Sequence, residues 1–214
     1  MRKEELYRYV DHTALNAWSS WKDIKNLCNE AIIFRMASVC IPSSYVKRVS
    51  DSFPGLNICT VVGFPLGNAN TAAKVAETRQ AIADGANEID MVINIGLVKN
   101  SKFQKVTDEI RLVKEAAGDH ILKVIVETCY LTEDEKIAVC RCVSEAGADF
   151  IKTSTGFGSG GATLEDVKLM REHIDPRVQI KAAGGISTRE EMEQYIEAGC
   201  SRIGTSRAIR ILSQ

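Results

Sequence analysis

Lysines interrupt three consecutive stretches that otherwise have the composition of buried β-strands: Lys123 in LKVIV, Lys152 in FIKTS and Lys181 in QIKAAG. A buried ammonium group is costly unless it is paired with an anion or loses its proton. A single strand lysine could extend its ammonium group out of the end of the strand into water. Three on neighbouring strands, with Asp11 and Asp90 in other strand-like stretches, indicate instead a polar centre where amines and carboxylates converge.

Such a centre suits nucleophilic catalysis by an amine. A free lysine with a pKa of about 10.4 is deprotonated in only about one molecule in 2,500 at pH 7, and lowering that pKa to about 7 requires roughly 4.6 kcal/mol. A second ammonium group about 5 Å away supplies about 3 kcal/mol at an effective dielectric constant of about 20, and desolvation can supply the rest. Lys152 and Lys181 lie on adjacent predicted strands and have this arrangement if both side chains point inward.

The strands that must position these residues are short apolar runs separated by segments with helical periodicity. We predict strands over residues 9–13, 37–41, 59–64, 88–94, 121–127, 150–155, 179–184 and 202–206. Several runs are continuously apolar, as is typical of parallel strands covered on both faces. Eight βα units in 214 residues predict an α/β fold, a compact (β/α)8 TIM barrel forming a single domain over residues 1–214. A doubly wound open sheet is the alternative.

A helix-ending glycine precedes a strand in DGANEID, EAGADFIK and EAGCSRIG. The residue five positions after that glycine is Asp90, Lys152 and Gly204 in turn. These residues fall on the fourth, sixth and eighth predicted strands, and alternate strands of a barrel contribute side chains to a shared layer. We therefore expect Asp90 and Lys152 to lie at a similar height in the barrel.

Capping residues mark the predicted helix starts. Ser187 with Glu190, and Thr132 with Glu135, have the types and spacing of capping boxes, in which each residue bonds the backbone of the other. Thr163 is predicted to begin a further helix in the same way.

Glycines follow the last two predicted strands, in AAGGIS and RIGTS. In (β/α)8 barrels the loops after strands seven and eight commonly bind a phosphate group through backbone N–H groups. We therefore predict a phosphate site formed by Gly156, Gly184, Gly185, Gly204 and Ser206. The alternative is that these glycines only make tight turns between strands and helices.

Composition excludes several classes of function. The formal net charge of −1 gives no indication of a nucleic-acid partner, and no stretch approaches the ~18 apolar residues of a membrane-spanning helix. The start, MRKEELYRYVDHT, lacks the apolar core of a signal peptide, and seven cysteines without framework spacing indicate a reduced, cytoplasmic protein.

The three histidines His12, His120 and His173 have no close paired spacing, so we expect no metal site. The sequence contains no dinucleotide-binding fingerprint, so we expect no redox role.

Motifs in order along nearly the whole chain resemble those of the 2-deoxyribose-5-phosphate aldolases: VDHTALN, ASVCIPSSYV, VVGFPLGNANTAAKVAET, GANEIDMVINIG, LKVIVET, GADFIKTSTGF, GGATLEDVKLM, IKAAGGI and EAGCSRIGTS. The resemblance implies a (β/α)8 class I aldolase that needs no cofactor. Its implied reaction is the reversible cleavage of 2-deoxy-D-ribose 5-phosphate to D-glyceraldehyde 3-phosphate and acetaldehyde, in deoxyribose phosphate catabolism. It also implies a homodimer or homotetramer.

The resemblance implies a role for each residue of the polar centre. Lys152 in FIKTS matches the Schiff-base lysine of the family, and Asp90 in EIDMV matches an aspartate that shuttles protons through water. Lys181 in IKAAGG matches a lysine that tunes the nucleophile and joins the proton relay. Asp11 and Lys123 match supporting polar positions.

The chain departs from the family pattern in places. The common DHTLL appears as DHTAL, and Arg207 stands where many relatives carry a small residue, so that its side chain either reaches the phosphate group or points into solvent. Cys40 matches a cysteine near the pocket that reacts with aldehydes in relatives, and we expect a buried packing role for it here. The sequence ends at Gln214 without the tyrosine tail that assists proton transfer in some relatives, which bears on turnover rate more than on reaction type.

Other functions fit part of the pattern. An isomerase or another phosphosugar enzyme on the same barrel would keep the glycines without requiring both Lys152 and Lys181. A non-catalytic phosphosugar-binding protein would tolerate loss of the amine. A metal-dependent aldolase would need a cluster of ligands.

Overall fold

The computed structural model describes residues 1–213, and within them the strands form a closed parallel barrel. The strands are β1 Val10–Thr13, β2 Ser38–Ile41, β3 Ile58–Val62, β4 Glu88–Val92, β5 Ile121–Ile125, β6 Phe150–Lys152, β7 Gln179–Ala183 and β8 Cys200–Thr205. Each strand pairs with the next, and β8 pairs in parallel with β1. The predicted (β/α)8 barrel is confirmed, and the open sheet is excluded. The domain prediction of 1–214 stays a prediction, since Gln214 lies outside the described residues.

Helices follow the strands around the outside. They are α1 Lys3–Tyr7, α2 Trp21–Phe34, α3 Ser43–Ser52, α4 Thr71–Ala83, α5 Ile95–Lys99, α6 Phe103–Ala117, α7 Glu133–Glu145, α8 Leu164–His173, α9 Arg189–Glu197 and α10 Ala208–Leu212, with a 3-10 turn at Thr128–Tyr130. The Thr132–Glu135 capping box of α7 and the Thr163 cap of α8 are found as predicted. Within residues 1–213, no helix is both long enough and apolar enough to cross a membrane.

The predicted capping box Ser187–Glu190 is wrong by one residue. Helix α9 is capped by Thr188, whose hydroxyl accepts the Glu191 N–H, and the Glu191 carboxylate accepts the Thr188 N–H. Ser187 also donates its backbone N–H to Glu191, at 2.7 Å. Two consecutive hydroxyl residues precede this helix, and the carboxylate that both can reach decides where it starts.

The apolar core lies between the strands and the surrounding helices. Outward-facing strand residues such as Ile89, Met91, Val124 and Ile151 are fully buried in it. Because successive residues of a strand face opposite sides, the residues between them face the barrel axis. In this barrel many of those inward residues are charged, although barrel interiors are usually filled by Val, Ile and Leu.

A β-bulge sets the register of the last two strands. Ile180 pairs with Cys200 and Lys181 pairs with Arg202, so the register passes over Ser201. Bulges re-aim side chains and are common beside active sites. Lys152 is in turn the pairing partner of Lys181 on the other side. Three cationic residues therefore lie side by side on β6, β7 and β8.

A buried ion pair outside the barrel wall holds the chain that follows β3 and β4. Lys74 on α4 is fully buried, with its Nζ 3.0 Å from Glu109 Oε1 of α6 and 2.8 Å from the carbonyl oxygen of Val92. Glu109 Oε2 accepts the backbone N–H of Asn94, at 3.0 Å. The pair thus connects two helices to the end of β4.

Replacing Lys74 by Met should lower the free energy of unfolding by about 3–5 kcal/mol, because it leaves the Glu109 carboxylate buried without its cation. Urea denaturation measures this as a lower midpoint with an unchanged m-value. The matched control is Lys47→Met, which removes an exposed lysine 2.5 Å from Asp51 and should change stability little. A loss below about 1 kcal/mol for Lys74→Met would contradict the structural role given to this pair.

Candidate active site

Asp90 is the centre of the charged interior. Its carboxylate is fully buried, and Oδ2 accepts hydrogen bonds from Lys152 Nζ at 2.8 Å and from Lys181 Nζ at 2.7 Å. Oδ1 accepts from Lys123 Nζ at 2.9 Å and from the thiol of Cys59 at 3.1 Å. The predicted convergence of the three lysines is therefore found, and the carboxylate of Asp90 joins them. Lys152 and Lys181 share one oxygen atom, so their nitrogens face the same side of the wall.

Asp11 is the second carboxylate of the interior, as the sequence predicted. Its Oδ2 lies 2.5 Å from Lys181 Nζ and 3.6 Å from Lys123 Nζ. Its Oδ1 accepts hydrogen bonds from the Ser38 hydroxyl at 2.8 Å and from the Arg202 guanidinium at 2.5 Å. Asp11 therefore connects the lysine cluster to a fourth cation.

Sequence reasoning missed two charged members of this network, Glu88 and Arg202. The guanidinium of Arg202 donates to both carboxylate oxygens of Glu88, at 2.8 and 3.0 Å, and Lys123 Nζ lies 2.5 Å from Glu88 Oε2. A signal was present, because Glu88 stands two residues before Asp90 and Arg202 two residues before Gly204. Residues two apart on a strand share a face.

The cations hold the three carboxylates in the charged form. Burial alone would raise the pKa of Asp90, but the ammonium groups of Lys123, Lys152 and Lys181 outweigh it, so the pKa lies well below its ordinary value. Asp11 shows the same balance, with a lowered pKa. Burial alone would also raise the pKa of Glu88, the third carboxyl group. The nearby cations Lys123 and Arg202 outweigh burial and hold this pKa below its usual range.

The carboxylates in turn hold three of the bases in the charged form. Burial alone would lower the pKa of Lys181, but Asp11 and Asp90 hold it above its ordinary value. Burial alone would lower the pKa of Lys123 as well, but nearby anionic groups, chiefly the Asp90 carboxylate, raise it above its ordinary value. The pKa of Arg202 is raised as well, with Asp11 the largest cause against burial.

A cavity of about 260 Å³ opens above Lys152 at the carboxyl ends of the strands. All the predicted phosphate residues line it, namely Gly156, Gly184, Gly185, Gly204 and Ser206. Other lining residues, unassigned by the sequence, include Thr13, Asn16, Thr155 and Phe157. Arg207, for which the sequence left open whether it reaches the phosphate group or points into solvent, also lines the cavity. Asp90 and Lys181 are not among its lining residues, so Lys152 is the point where the cavity meets the charged network.

Gly204 leaves room for the stem of Lys181. A Cβ atom at Gly204 would lie 3.1 Å from Lys181 Cε and 2.9 Å from the Cβ of Ala183. Gly184 has a φ of +86°, which side chains rarely permit, and it packs against Gly161. These two glycines therefore shape the floor of the cavity as well as its turns.

Phe157, which lines the cavity, packs against a second aromatic ring. The rings of Phe64 and Phe157 pack edge to face, with centroids 5.3 Å apart. The loop that carries Phe157 is fixed by Glu127, a buried residue with a φ of +53° whose carboxylate accepts the N–H and the hydroxyl of Thr155. No sequence pattern predicted this contact.

The thiols and histidines have packing or pairing roles. Cys40 is fully buried beside Cys59 and Val61, as expected of a packing residue. Cys40, Cys59 and Asp90 place possible metal ligands within 4.8 Å of one another, but three ammonium groups already occupy Asp90 and oppose a further cation. The Nε2 atom of His12 lies 2.7 Å from a carboxylate oxygen of Glu30 on α2.

The family model described as DeoC/LacD family aldolase matches residues 6–208 of the chain. The chain belongs to this family. A protein of Clostridium botulinum named deoxyribose-phosphate aldolase is 60% identical over 99% of this chain and 96% of its own length. One of Clostridioides difficile with the same name is 55% identical over 98% of this chain and 96% of its own length. The chain is accordingly an enzyme of the lyase class, an aldolase, and the non-catalytic and isomerase alternatives are set aside.

Solved structures of this family superpose closely on the chain. A putative deoxyribose-phosphate aldolase from Coccidioides immitis, 38% identical, gives a TM-score of 0.96 over all of this chain and 86% of that one. The deoxyribose phosphate aldolase of Aeropyrum pernix, described as tetrameric and 28% identical, gives 0.89 over 99% of this chain and 91% of that one. The barrel is therefore shared across the family.

The lowered pKa of Glu88 predicts a specific acid response. A carboxylate with a lowered folded pKa contributes stability above its unfolded pKa, about 4.3, and loses it as pH falls through the folded value. The Glu88→Gln variant lacks this contribution at every pH. Its free energy of unfolding should therefore fall less steeply than that of the unaltered protein between about pH 5 and about pH 3 in urea titrations.

Glu172→Gln, at an exposed position on α8, is the matched control and should keep the pH dependence of the unaltered protein. Parallel curves for Glu88→Gln and the unaltered protein would contradict a lowered pKa at Glu88.

Proposed function

We propose that the protein is a class I aldolase that reversibly cleaves 2-deoxy-D-ribose 5-phosphate to D-glyceraldehyde 3-phosphate and acetaldehyde, with Lys152 as the Schiff-base residue. The observation that carries the proposal is the position of Lys152. Its side chain lines the cavity, while its Nζ lies 2.8 Å from Asp90 Oδ2 in the charged network. The names of relatives at 55–60% identity over nearly the whole chain support the substrate.

Lys152 has fewer carboxylate contacts than the other two lysines of the network. Within residues 1–213 its one carboxylate contact is Asp90 Oδ2, which it shares with Lys181. Lys181 has a second carboxylate, Asp11, and Lys123 contacts Asp11, Glu88 and Asp90. The tuning role of Lys181 stays a prediction, and these contacts add further charged groups to the surroundings of Lys152.

The chemical steps follow from an amine at the cavity floor. The neutral Lys152 amine attacks C1 of the open-chain sugar phosphate, and loss of water gives an iminium ion. The C2–C3 bond then breaks, its electrons enter the iminium to form an enamine, and the C3 hydroxyl proton leaves as D-glyceraldehyde 3-phosphate forms. Protonation of the enamine carbon restores an iminium, and water releases acetaldehyde and the free amine.

Asp90 is placed to manage protons at the nitrogen of Lys152. It lies behind Lys152 and outside the cavity lining, so we infer that it reaches the C3 hydroxyl through a water molecule, as the family resemblance implies. Lys181, Asp11 and Lys123 act on the reaction by fixing the position and charge of Asp90.

The glycine-rich part of the cavity lining suits the phosphate group. Gly184, Gly185, Gly204 and Ser206 offer backbone there, and Arg207 adds a positive charge at the same wall. The cavity lining within the described chain includes neither Asp nor Glu. Binding this remote group supplies orientation energy for the reacting carbon atoms.

We also propose a cellular location, an oligomeric state and a metabolic role for the enzyme. Seven free cysteines, most of them buried, support a cytoplasmic location. The tetrameric description of the Aeropyrum pernix relative supports a homo-oligomer, a homodimer or homotetramer. The reaction would place the enzyme in deoxyribose phosphate catabolism, with a small phosphosugar as its binding partner and neither nucleic acid nor membrane involved.

Treating the protein with acetaldehyde and sodium cyanoborohydride should leave a reduced ethyl adduct on Lys152, because the iminium forms there and is trapped as an amine. Peptide mass spectrometry locates the adduct. The Lys152→Met variant should lose it, while Lys168→Met, on the outer helix α8, should keep it. A well-folded protein with unmodified Lys152 would refute the Schiff-base role.

Arg207→Met should lower kcat/KM for 2-deoxyribose 5-phosphate by roughly tenfold or more, since a charge-assisted hydrogen bond to the phosphate group is lost. Cleavage of unphosphorylated 2-deoxyribose should be unchanged. Arg210→Met removes an exposed arginine from α10, the helix that begins directly after Arg207, and is the matched control because Arg210 lies outside the cavity lining. Equal losses of kcat/KM with both sugars would show that Arg207 does not bind the phosphate group.

A further inference from the structure

The buried network holds unequal numbers of charges. Among the described residues it contains the four basic side chains Lys123, Lys152, Lys181 and Arg202, and the three carboxylates Asp11, Glu88 and Asp90. If every basic side chain were protonated, one positive charge would be in excess. In a buried site such an excess is relieved when one base gives up its proton.

We propose that Glu88 and Arg202, neither of which lines the cavity, are positioning residues that set the charge balance of the network and thereby the pH at which Lys152 becomes nucleophilic. This inference rests on the proposed Schiff-base function. It adds residues that touch neither the substrate nor Lys152, and that act through the intervening carboxylates and ammonium groups.

A continuous chain of ion pairs connects Glu88 and Arg202 to Lys152. Arg202 contacts Glu88 and Asp11, at 2.8 and 2.5 Å. Asp11 contacts Lys181 at 2.5 Å, and Lys181 shares Asp90 Oδ2 with Lys152. Every member is nine-tenths buried or more except Arg202, so the charges interact with little screening by solvent.

The direction of control follows from the sign of each charge. Removing the negative charge of Glu88 makes the network more positive, so the Lys152 ammonium group is less favoured and the amine forms at a lower pH. Removing the positive charge of Arg202 has the opposite effect. Removing both restores an excess of one basic group, which returns the balance toward that of the unaltered protein.

Two thiols also face this network. The Cys59 thiol donates to Asp90 Oδ1, and burial holds its pKa well above the ordinary value, so it is neutral. The neighbouring Cys59 thiol lowers the pKa of Cys40. The charge balance requires Cys40 to be neutral as well, and the experiment therefore includes Cys40→Ala.

The experiment measures the pH of half-maximal trapping of acetaldehyde on Lys152 with sodium cyanoborohydride. Glu88→Gln should lower this pH by roughly one unit, and Arg202→Met should raise it by a similar amount, the shift that Coulomb's law gives for a unit charge about 10 Å away at an effective dielectric constant of about 20. The double variant should return close to the unaltered value. Because the network is buried, the shifts should persist at high salt.

Matched controls separate charge from structure. Arg202→Lys keeps the charge and should keep the pH of the unaltered protein, and Glu88→Gln still tests the direction of the shift if Arg202→Met does not fold. Lys136→Met removes a lysine 2.6 Å from Asp166 on the outer helices and should cause no shift. Near-ultraviolet circular dichroism confirms that each variant is folded.

Single variants that shift the pH in the same direction, or not at all, would overturn the inference. A shift in Cys40→Ala would also overturn it, because it would show that a thiolate belongs to the charge balance. The proposed function fails separately: it fails if the unaltered protein forms no adduct on Lys152. An adduct whose pH dependence ignores Glu88 and Arg202 would refute only the inference.

Discussion

The carboxylate of Asp90 is the contact on which the interior of this barrel depends. It receives hydrogen bonds from three ammonium groups and a thiol on four different strands, in a space that barrels usually fill with apolar side chains. Without a buried anion at this point, the lysines could not remain inside the wall as cations. The strands, the bulge between β7 and β8, and the missing side chain at Gly204 all serve to bring these groups together.

The charged network and the cavity have different roles in the site. The network fixes charge and is closed to solvent, whereas the cavity accepts a ligand and is lined mainly by glycine, hydroxyl and apolar residues. Lys152 belongs to both. An amine in this position faces the cavity on one side and the charged groups of the network on the other, an arrangement that suits the covalent catalysis proposed above.

Much of this arrangement was predictable because its signals are local. Strand periodicity located all eight strands, and the lysines at Lys123, Lys152 and Lys181 stood out against apolar neighbours. The contacts of Glu88 and Arg202 were missed because each charge is unremarkable by itself, and its pairing depends on register across the barrel. The start of α9 was misplaced for a similar reason, since two adjacent hydroxyl residues could each have capped it.

The charged interior also bears on how the molecule responds to heat. The hydration of ionic groups carries a strongly negative entropy, so the cost of removing them from water falls as temperature rises. A barrel whose axis is filled by paired ions therefore weakens less on warming than its polarity at room temperature would suggest. The ion pairs around Lys152 thus help to keep the barrel folded in hot solution.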